Sequence, residues 1–376
     1  MRWPIALVLS LVAMVSVEAS AGDNLDEMDF CKGQCWHMAC AHYDYRDDHP
    51  EWPYTAHWSF TEEPLPRYLQ LLGWDCEANC DYECQRIITA ERRAENLEVL
   101  QFHGKWPFLR VFGCQELASV VFSVGNFIVQ FLGLYQIINA IKKYPTPWIY
   151  YCDVMGVALV SMAAWAFSTI FHIRDTEQTE KLDYYFAGLT VLSSAHAIGA
   201  RFWRLYRPQN RLGRWIWLGV CVAAYANHIH RLETDWSYTY NMQANIAVGI
   251  IQNVLLILLL YQIYSEYYEK EQVDKKPSKN HLKYLGDRPT ILGSFYTYSA
   301  KLYSIYPGLL AAIVAFGILF EVFDFSPIFY DLIDAHALWH LITIIPVWCG
   351  WYNWMIWDIN ENVWPDVQAQ LAKKTQ

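Results

Sequence analysis

Seven apolar stretches in the last two thirds of the chain constrain its fold more than any other feature. Each is close to the ~20 residues that a helix needs to cross a bilayer. They lie at about 114–140, 149–173, 183–203, 213–230, 242–264, 297–321 and 334–357. The charged fraction of 18% is below the roughly 25% of ordinary soluble domains. The sequence therefore predicts an all-α membrane protein whose seven-transmembrane helix bundle occupies residues 111–358.

Basic residues are distributed unevenly among the loops that join these stretches. The connections after the first, third, fifth and seventh stretches carry 15 of them, whereas the opposite loops hold Arg174, Lys181 and Arg231. The positive-inside rule then places the C-terminus in the cytosol and the N-terminus in the lumen. The net charge of −10 argues against a nucleic-acid-binding protein, which would usually be basic.

The first 21 residues have the pattern of a secretory signal peptide. Arg2 precedes an apolar run from Ile5 to Val17, and Ala19-Ser20-Ala21 has the small-x-small form of a cleavage site. The alternative is a short signal anchor. A secreted N-terminus places the following segment in an oxidising compartment.

Six cysteines form two clusters in the segment 22–110, which we predict to be a small disulfide-linked luminal domain. The clusters are Cys31, Cys35, Cys40 and Cys76, Cys80, Cys84. Spacings of four or five residues put each cluster on one side of a helix, where neighbours are too far apart for a disulfide. Of the 15 possible connectivities, an antiparallel helical hairpin would pair 31 with 84, 35 with 80 and 40 with 76. A zinc site is the alternative.

The last four residues, Lys373-Lys374-Thr375-Gln376, resemble a dilysine retrieval signal. In a cytosolic tail at 359–376 this signal predicts residence in the endoplasmic reticulum membrane, with cycling through the Golgi and recognition by coatomer. The alternative is an ordinary solvated basic end.

Polar residues at the ends of two stretches are the candidate site, since ionisable groups in a membrane span are functional candidates by default. Ser168 and His172 are four residues apart, as are His336 and His340, so each pair shares a helix face. Under the predicted topology both pairs, and Asp183, lie at luminal ends of spans. The alternative is that each histidine merely caps a span at the membrane interface.

Three imidazoles from two helices make a zinc-type ligand set: His172, His336 and His340. Zinc with three protein ligands keeps a fourth position for water and lowers the pKa of that water to about 7. Asp183 would then move protons, and Ser168 would donate a hydrogen bond to the developing oxyanion. Whether Ser168 is instead a nucleophile stays open.

Other polar residues near the stretches have two interpretations each. Glu116 either supports a histidine ligand from behind or is an ordinary interfacial carboxylate. His196 fits a helix–helix hydrogen bond, while His228 and His230 fit interfacial positions or, as runners-up, substrate contacts.

The order Ser168-x3-His172, Asp183 and His336-x3-His340 resembles the superfamily of seven-span hydrolases that includes alkaline ceramidases and the progestin and adiponectin receptors. In that superfamily the three histidines bind zinc, beside the Ser and Asp. More narrowly, the chain resembles the family of post-GPI-attachment-to-proteins factor three. The resemblance is carried by the cysteine clusters and by two stretches, Gln101-Phe102-His103-Gly104-Lys105-Trp106-Pro107-Phe108 and Cys114-Gln115-Glu116-Leu117-Ala118-Ser119.

The resemblance implies a phospholipase A2-type hydrolase that removes the sn-2 fatty acid from GPI-anchored proteins during lipid remodelling. Zinc is the implied cofactor, and the partners are GPI-anchored proteins and membrane lipids. Two alternatives stay open: a ceramidase-like amidase, and a non-catalytic receptor or escort of GPI-anchored proteins.

Overall fold

The computed structural model describes residues 20–41 and 55–374, without the side chain of Lys374. The predicted signal peptide therefore lies almost wholly outside the described residues, as do Thr375 and Gln376. The described chain is mostly helical and has no strand. Its α-helices are α1 (Asp26–Cys35), α2 (Arg67–Leu71), α3 (Cys76–Ala94), α4 (Leu117–Lys143), α5 (Cys152–Ile173), α6 (Glu177–Phe202), α7 (Arg211–Thr234), α8 (Tyr238–Asp274), α9 (Gly293–Tyr296), α10 (Ala300–Ser304), α11 (Tyr306–Val322), α12 (Ala335–Trp348), α13 (Trp351–Asp358) and α14 (Trp364–Lys374).

One compact unit contains the described residues up to Val121, together with Ile170–Thr176 and Phe323–Ala337. The packing of α1 against α3 forms its centre. Asp75 begins α3 by accepting a hydrogen bond from the backbone N–H of Ala78, as an N-cap residue does. The buried side chains around the two helices include Met28, Ile88 and Phe102.

Three disulfides join the helical hairpin: Cys31–Cys84, Cys35–Cys80 and Cys40–Cys76. The predicted pairing is therefore confirmed, and the zinc alternative for these six thiols is not supported. The pairing is nested because the hairpin is antiparallel, so that each step of four or five residues along one helix is matched by a similar step back along the other.

The nesting predicts how much a single bridge stabilises this unit. Replacing Cys31 and Cys84 by Ala should lower the free energy of unfolding by about 2–3 kcal/mol, not the ~4 kcal/mol of an isolated loop of this length. The reason is that Cys35–Cys80 already closes most of the 53-residue separation. Pulse proteolysis of the full chain in urea measures the difference, and Cys221→Ala, at a free buried cysteine, is the control. A loss of 4 kcal/mol or more would show that the bridges act independently.

The second compact unit comprises Phe122–Thr169, Glu177–Val322 and the described residues from Leu338 onward. Helices α6 and α8 pack along each other, and α8 also packs on α10 and α11. Large side chains fill the centre; Tyr151, Tyr303, Tyr306 and Trp357 are each about 1% exposed or less. The phenol of Tyr306 donates to the carbonyl of Cys349 at 2.6 Å, so this buried aromatic group keeps its polar atom satisfied.

Helices occupy all seven predicted apolar stretches, but within the described residues four segments are long and apolar enough to cross a membrane. These are Leu117–Lys143, Trp148–Ile173, Tyr238–Asp274 and Ala300–Val322. Helix α12 is too short to span a bilayer at 14 residues, and polar side chains such as Thr190, Ser193 and Ser194 lower the mean hydropathy of α6. The count of seven spans therefore stays a prediction.

Some helix boundaries differ from those predicted. Helix α8 continues to Asp274, beyond the predicted end of the fifth stretch at 264. The stretch 334–357 is two helices, because the chain turns at Gly350, whose φ of 98° is in the left-handed region that favours glycine. Pro346, inside α12, further weakens the helix there since it has no backbone N–H.

The stretch predicted as a tail, 359–376, is helical as far as Lys374. Val363 and Val367 are buried, at 4% and 0% exposure. Asp366 accepts two hydrogen bonds from the guanidinium of Arg207, both at 2.7 Å, and one from Tyr206. Residues 363–367 of this segment are thus packed within the second unit.

Candidate metal centre

Two helix ends carry the three histidines of the candidate site. His172 is in the last turn of α5, whereas His336 and His340 are in the first two turns of α12. Asp334 precedes α12 and accepts a hydrogen bond from the backbone N–H of Ala337 at 2.8 Å. This cap fixes where the helix begins, and so which way the two histidines of α12 face.

The three imidazoles form a compact set. The ring centroids of His172 and His336 are 5.3 Å apart. Each of the three histidines offers one ring nitrogen, and these nitrogens lie within 4.8 Å of one another. His172 and His340 are buried, at 1% and 4% exposure, so the set is largely shielded from bulk solvent.

Glu116 supports His172 from behind, so the first of its two proposed roles has a structural basis. Its Oε2 lies 2.7 Å from Nδ1 of His172, and its Oε1 accepts from the ammonium of Lys105 at 2.5 Å. Lys105 also pairs with Asp175 at 3.1 Å and lies 3.8 Å from the ring centroid of Phe171. Burial alone would lower the pKa of Lys105, but the two carboxylates raise it above its ordinary value.

Main-chain hydrogen bonds hold the same two segments together. The N–H of Glu116 donates to the carbonyl of His172, and the N–H of Gln115 donates to that of Ile173, both at 3.1 Å. The carboxylate that faces His172 is thereby fixed to the backbone that carries this histidine. Such pairing also satisfies backbone groups at the end of α5, which the helix itself leaves unpaired.

Ser123 connects Ser168 with His340. Its Oγ lies 3.2 Å from Oγ of Ser168 and 3.0 Å from Nδ1 of His340. Asn126, one turn further along α4, donates to the carbonyl of His340 at 2.7 Å. The edge of Trp165 contacts the same imidazole, with ring centroids 5.1 Å apart. His340 is therefore held by polar and aromatic contacts on several sides.

The donor set fits a zinc ion. Histidine ligands usually use one ring nitrogen for the metal and the other for a supporting hydrogen bond. Nδ1 of His172 is engaged by Glu116 and Nδ1 of His340 by Ser123, so each would present Nε2. Zinc favours imidazole nitrogen, and catalytic zinc sites commonly have three protein ligands.

The other predicted site residues lie on α5 and α6, and the additional candidate histidines lie on α6 and α7. Ser168 is buried one turn before His172 on α5. Asp183 is half-buried on α6, and its role stays a prediction. His196 makes its main contact by stacking on Trp217, with ring centroids 6.3 Å apart. His228 packs on Tyr240 at 5.5 Å.

Sequence reasoning missed two residues of this site, Ser123 and Lys105. Ser123 is a small hydroxyl residue within an apolar stretch, where serine commonly bonds to its own helix. Lys105 lies in a loop, 11 residues before Glu116. A lysine close in sequence to an acidic residue is common, so neither residue carries a sequence signal that distinguishes it.

The contact between Lys105 and Glu116 predicts a measurable effect on metal affinity. Lys105→Met should weaken zinc binding by about 10–100-fold, because a carboxylate that supports a ligand must itself be held in place. Lys105→Arg should recover most of the affinity, since it keeps the charge. Competition with a chromogenic chelator measures both. Lys32→Met is the control, because Lys32 pairs with Asp81 at 3.3 Å on α3. Equal zinc affinity in Lys105→Met and wild type would remove Lys105 from the site.

Known proteins resemble this chain over most of its length. The sequence profile of the Per1-like family matches residues 66–359. Protein PER1 of Saccharomyces cerevisiae is 39% identical over 366 residues, which cover 95% of this chain and 96% of the yeast protein. GPI-specific phospholipase A2-like PGAP3 of Xenopus laevis is 31% identical over 341 residues, covering 90% and 89%.

A third relative, the PER1 homolog of Schizosaccharomyces pombe, is 36% identical and covers 89% of this chain and 86% of its own length. No solved structure matches. The narrower resemblance inferred from the cysteine clusters and from the stretches 101–108 and 114–119 is thus supported over most of the chain, and the protein belongs to the Per1-like family.

Proposed function

We propose that this protein is a zinc-dependent acyl-ester hydrolase that removes the sn-2 fatty acid from GPI-anchored proteins during GPI lipid remodelling. The observation that carries the proposal is the set of three histidines whose nitrogens lie within 4.8 Å. The substrate class rests on relatives named GPI-specific phospholipase A2-like PGAP3.

His172, His336 and His340 would hold the zinc ion. When bound, zinc supplies Lewis acidity, which polarises an ester carbonyl and makes a water molecule more acidic. The protein's own contribution is to fix the imidazoles. Glu116 accepts a hydrogen bond from the protonated Nδ1 of His172. The lone pair on Nε2 of that histidine is then left for the metal. Lys105 in turn holds the Glu116 carboxylate in position.

The hydrogen bond between Ser123 and Ser168 determines where the hydroxyl hydrogen of Ser168 points. If His340 binds metal through Nε2, its Nδ1 carries the hydrogen and donates a hydrogen bond to Oγ of Ser123. Ser123 then donates its own hydrogen to Ser168 Oγ. The hydrogen of Ser168 is left to point at a third group, and we assign that group as the developing oxyanion of the substrate. This polarity favours an oxyanion donor over a nucleophile, since Ser123 offers Ser168 no base.

Asp183 is proposed to accept the proton from the attacking water and to pass it to the leaving alcohol. A carboxylate suits this task because it gains and loses a proton readily between pH 4 and 7 once its surroundings tune it. The proposal for Asp183 rests on the sequence pattern and on its position in the first turns of α6.

The proposed setting is the luminal leaflet of the endoplasmic reticulum membrane, with seven spans, a luminal N-terminus and a cytosolic C-terminus. Four segments with the length and hydropathy of spans support a multi-pass protein. The ends of α4 and α5 that carry Glu116 and His172 would then be luminal, where the lipid of GPI-anchored proteins lies. Lys373 and Lys374 would serve retrieval by coatomer, with cycling through the Golgi.

The decisive test is turnover by the purified protein. Incubated with a GPI-anchored protein in detergent, it should release free fatty acid and leave a lyso-GPI anchor, both detected by mass spectrometry. Removal of metal by a chelator should abolish release, and added zinc should restore it. Cleavage of ceramide in place of the ester would indicate the amidase. Zinc-loaded protein that cleaves neither substrate would indicate a receptor or escort.

A further inference from the structure

Two guanidinium groups meet at one indole in the first compact unit. The Cζ atom of Arg110 lies 4.3 Å from the ring centroid of Trp74, and that of Arg174 lies 4.2 Å from the same ring. Arg110 also lies 4.1 Å from the ring of Tyr82. The indole is itself fixed, because its Nε1 donates to the carbonyl of Gly113 at 3.0 Å. Two positive charges are therefore held around one rigid aromatic side chain.

Arg110 has no carboxylate partner within the described part of the chain. Its Nη2 donates to the amide oxygen of Asn79 at 2.7 Å, whereas its Nη1 is buried and meets no acceptor. Arg86 and Arg93 on α3 are different, since both donate to the carboxylate of Asp331. A buried donor without an acceptor is unfavourable. The Nη1 group of Arg110 thus has hydrogens left for an additional acceptor. The second guanidinium nearby, which donates to the carbonyl of Asp175 at 2.7 Å, favours an anionic one.

Both arginines lie beside segments that are able to cross a membrane. Arg174 directly follows α5, and Arg110 precedes α4 by seven residues. Phospholipid headgroups, with their phosphates, lie at this boundary of a bilayer. Arg174 is also two residues after His172, so the pair of arginines belongs to the same end of the helices as the candidate metal ligands.

We infer that Arg110 and Arg174 bind the phosphodiester of a phospholipid headgroup against Trp74. Guanidinium groups match phosphate oxygens with two parallel hydrogen bonds, which an ammonium cannot form. The inference rests on the proposed function, because it takes the bound lipid to be the one that is hydrolysed. In a glycerophospholipid the phosphodiester and the sn-2 ester are on adjacent glycerol carbons, so one lipid can present both groups to neighbouring parts of the chain.

Binding by the purified full chain in a phosphate-free detergent tests the inference. The probes are dioctanoyl phosphatidylinositol, dioctanoylglycerol, which has no phosphate, and inorganic phosphate. Arg110→Gln should weaken binding of the phosphatidylinositol by about 10–100-fold, the effect expected for a charge-assisted hydrogen bond. Arg92→Gln is the matched control, because Arg92 donates to the carbonyl of Glu98 and should leave binding within twofold of wild type. Unchanged binding in Arg110→Gln overturns the inference.

A measurement on the wild-type protein covers the case that Arg110→Gln does not fold. Phenylglyoxal should modify Arg110 more slowly when phosphatidylinositol is present, and dioctanoylglycerol should give no protection. Equal protection by inorganic phosphate at the same concentration would make a free anion, not a lipid, the ligand and overturn the assignment. Asp183→Asn separates this inference from the proposed function. Lipid binding that is retained without hydrolysis supports the arginine site. Hydrolysis that is retained overturns the proposed mechanism but does not change what the binding measurements show about the arginines.

Discussion

His340→Ala should leave the purified protein with less than about a tenth of its bound zinc and without detectable lipid remodelling. The substitution removes one of three ligands, and two imidazoles make a weak and open site. It also breaks the hydrogen bond to Ser123, so the serine pair loses its orientation. His336→Ala should have the same effect on zinc, although this histidine is more exposed. Elemental analysis by inductively coupled plasma mass spectrometry gives the metal content.

The matched control is His196→Ala, at a histidine that stacks on Trp217 and is not one of the three candidate ligands. It should keep stoichiometric zinc and full activity in cells that lack the endogenous protein. Stoichiometric zinc in either His336→Ala or His340→Ala would show that the ligand assignment is wrong. Loss of zinc without loss of remodelling would show that the metal is structural.

Asp183→Asn and Ser168→Ala should retain zinc and fold normally while losing turnover. Loss of a positioned acid–base group typically lowers the rate about 10²–10⁴-fold. Loss of one oxyanion donor lowers it about 10²–10³-fold. Asp183→Asn should therefore be at least as damaging as Ser168→Ala. Mass spectrometry of anchor lipids from cells rescued with each variant measures the remaining sn-2 acyl chains.

Two nearby substitutions control for simple loss of stability. Ser161→Ala removes a buried hydroxyl from the same helix as Ser168, and Glu177→Gln neutralises an exposed carboxylate on the same helix as Asp183. Both should rescue remodelling fully. Complete remodelling by Asp183→Asn would exclude the proposed proton transfer. If surface delivery of GPI-anchored proteins survives with unchanged anchors in every variant, including wild type, the protein is an escort.

The helical register of the N-terminal region was predictable because covalent chemistry limits it. Cysteines four or five residues apart cannot pair within one helix, so an antiparallel partner with the same spacing is the simple solution, and the nested bridges follow. The proximity of His336 and His340 was predictable for a similar reason. His336 and His340 are four apart, and this spacing puts them on one face of any helix that includes both.

The residues that form hydrogen bonds with the candidate ligands were harder to predict from the sequence. The hydrogen bond between Ser123 and His340 joins positions 217 residues apart. No local sequence pattern predicts a contact between residues so far apart in the chain. Glu116 was considered for this role, but the choice between a supporting carboxylate and an interfacial one needed the 2.7 Å contact with His172. The predicted helix ends were wrong for a different reason. The break at Gly350 depends on a single backbone angle within a stretch that is apolar on both sides.

The main-chain hydrogen bonds of Gln115 and Glu116 have a consequence for how this region can vary among relatives. The N–H of Gln115 reaches the carbonyl of Ile173 whatever the side chain is, but the side-chain oxygen of Gln115 also accepts a hydrogen bond from the N–H of Asp175. Most substitutions at position 115 should therefore remove the second bond and keep the first. Proline would remove both, since it has neither an N–H to donate nor a side-chain acceptor. A proline there would thus displace the support of His172 without touching a candidate metal ligand.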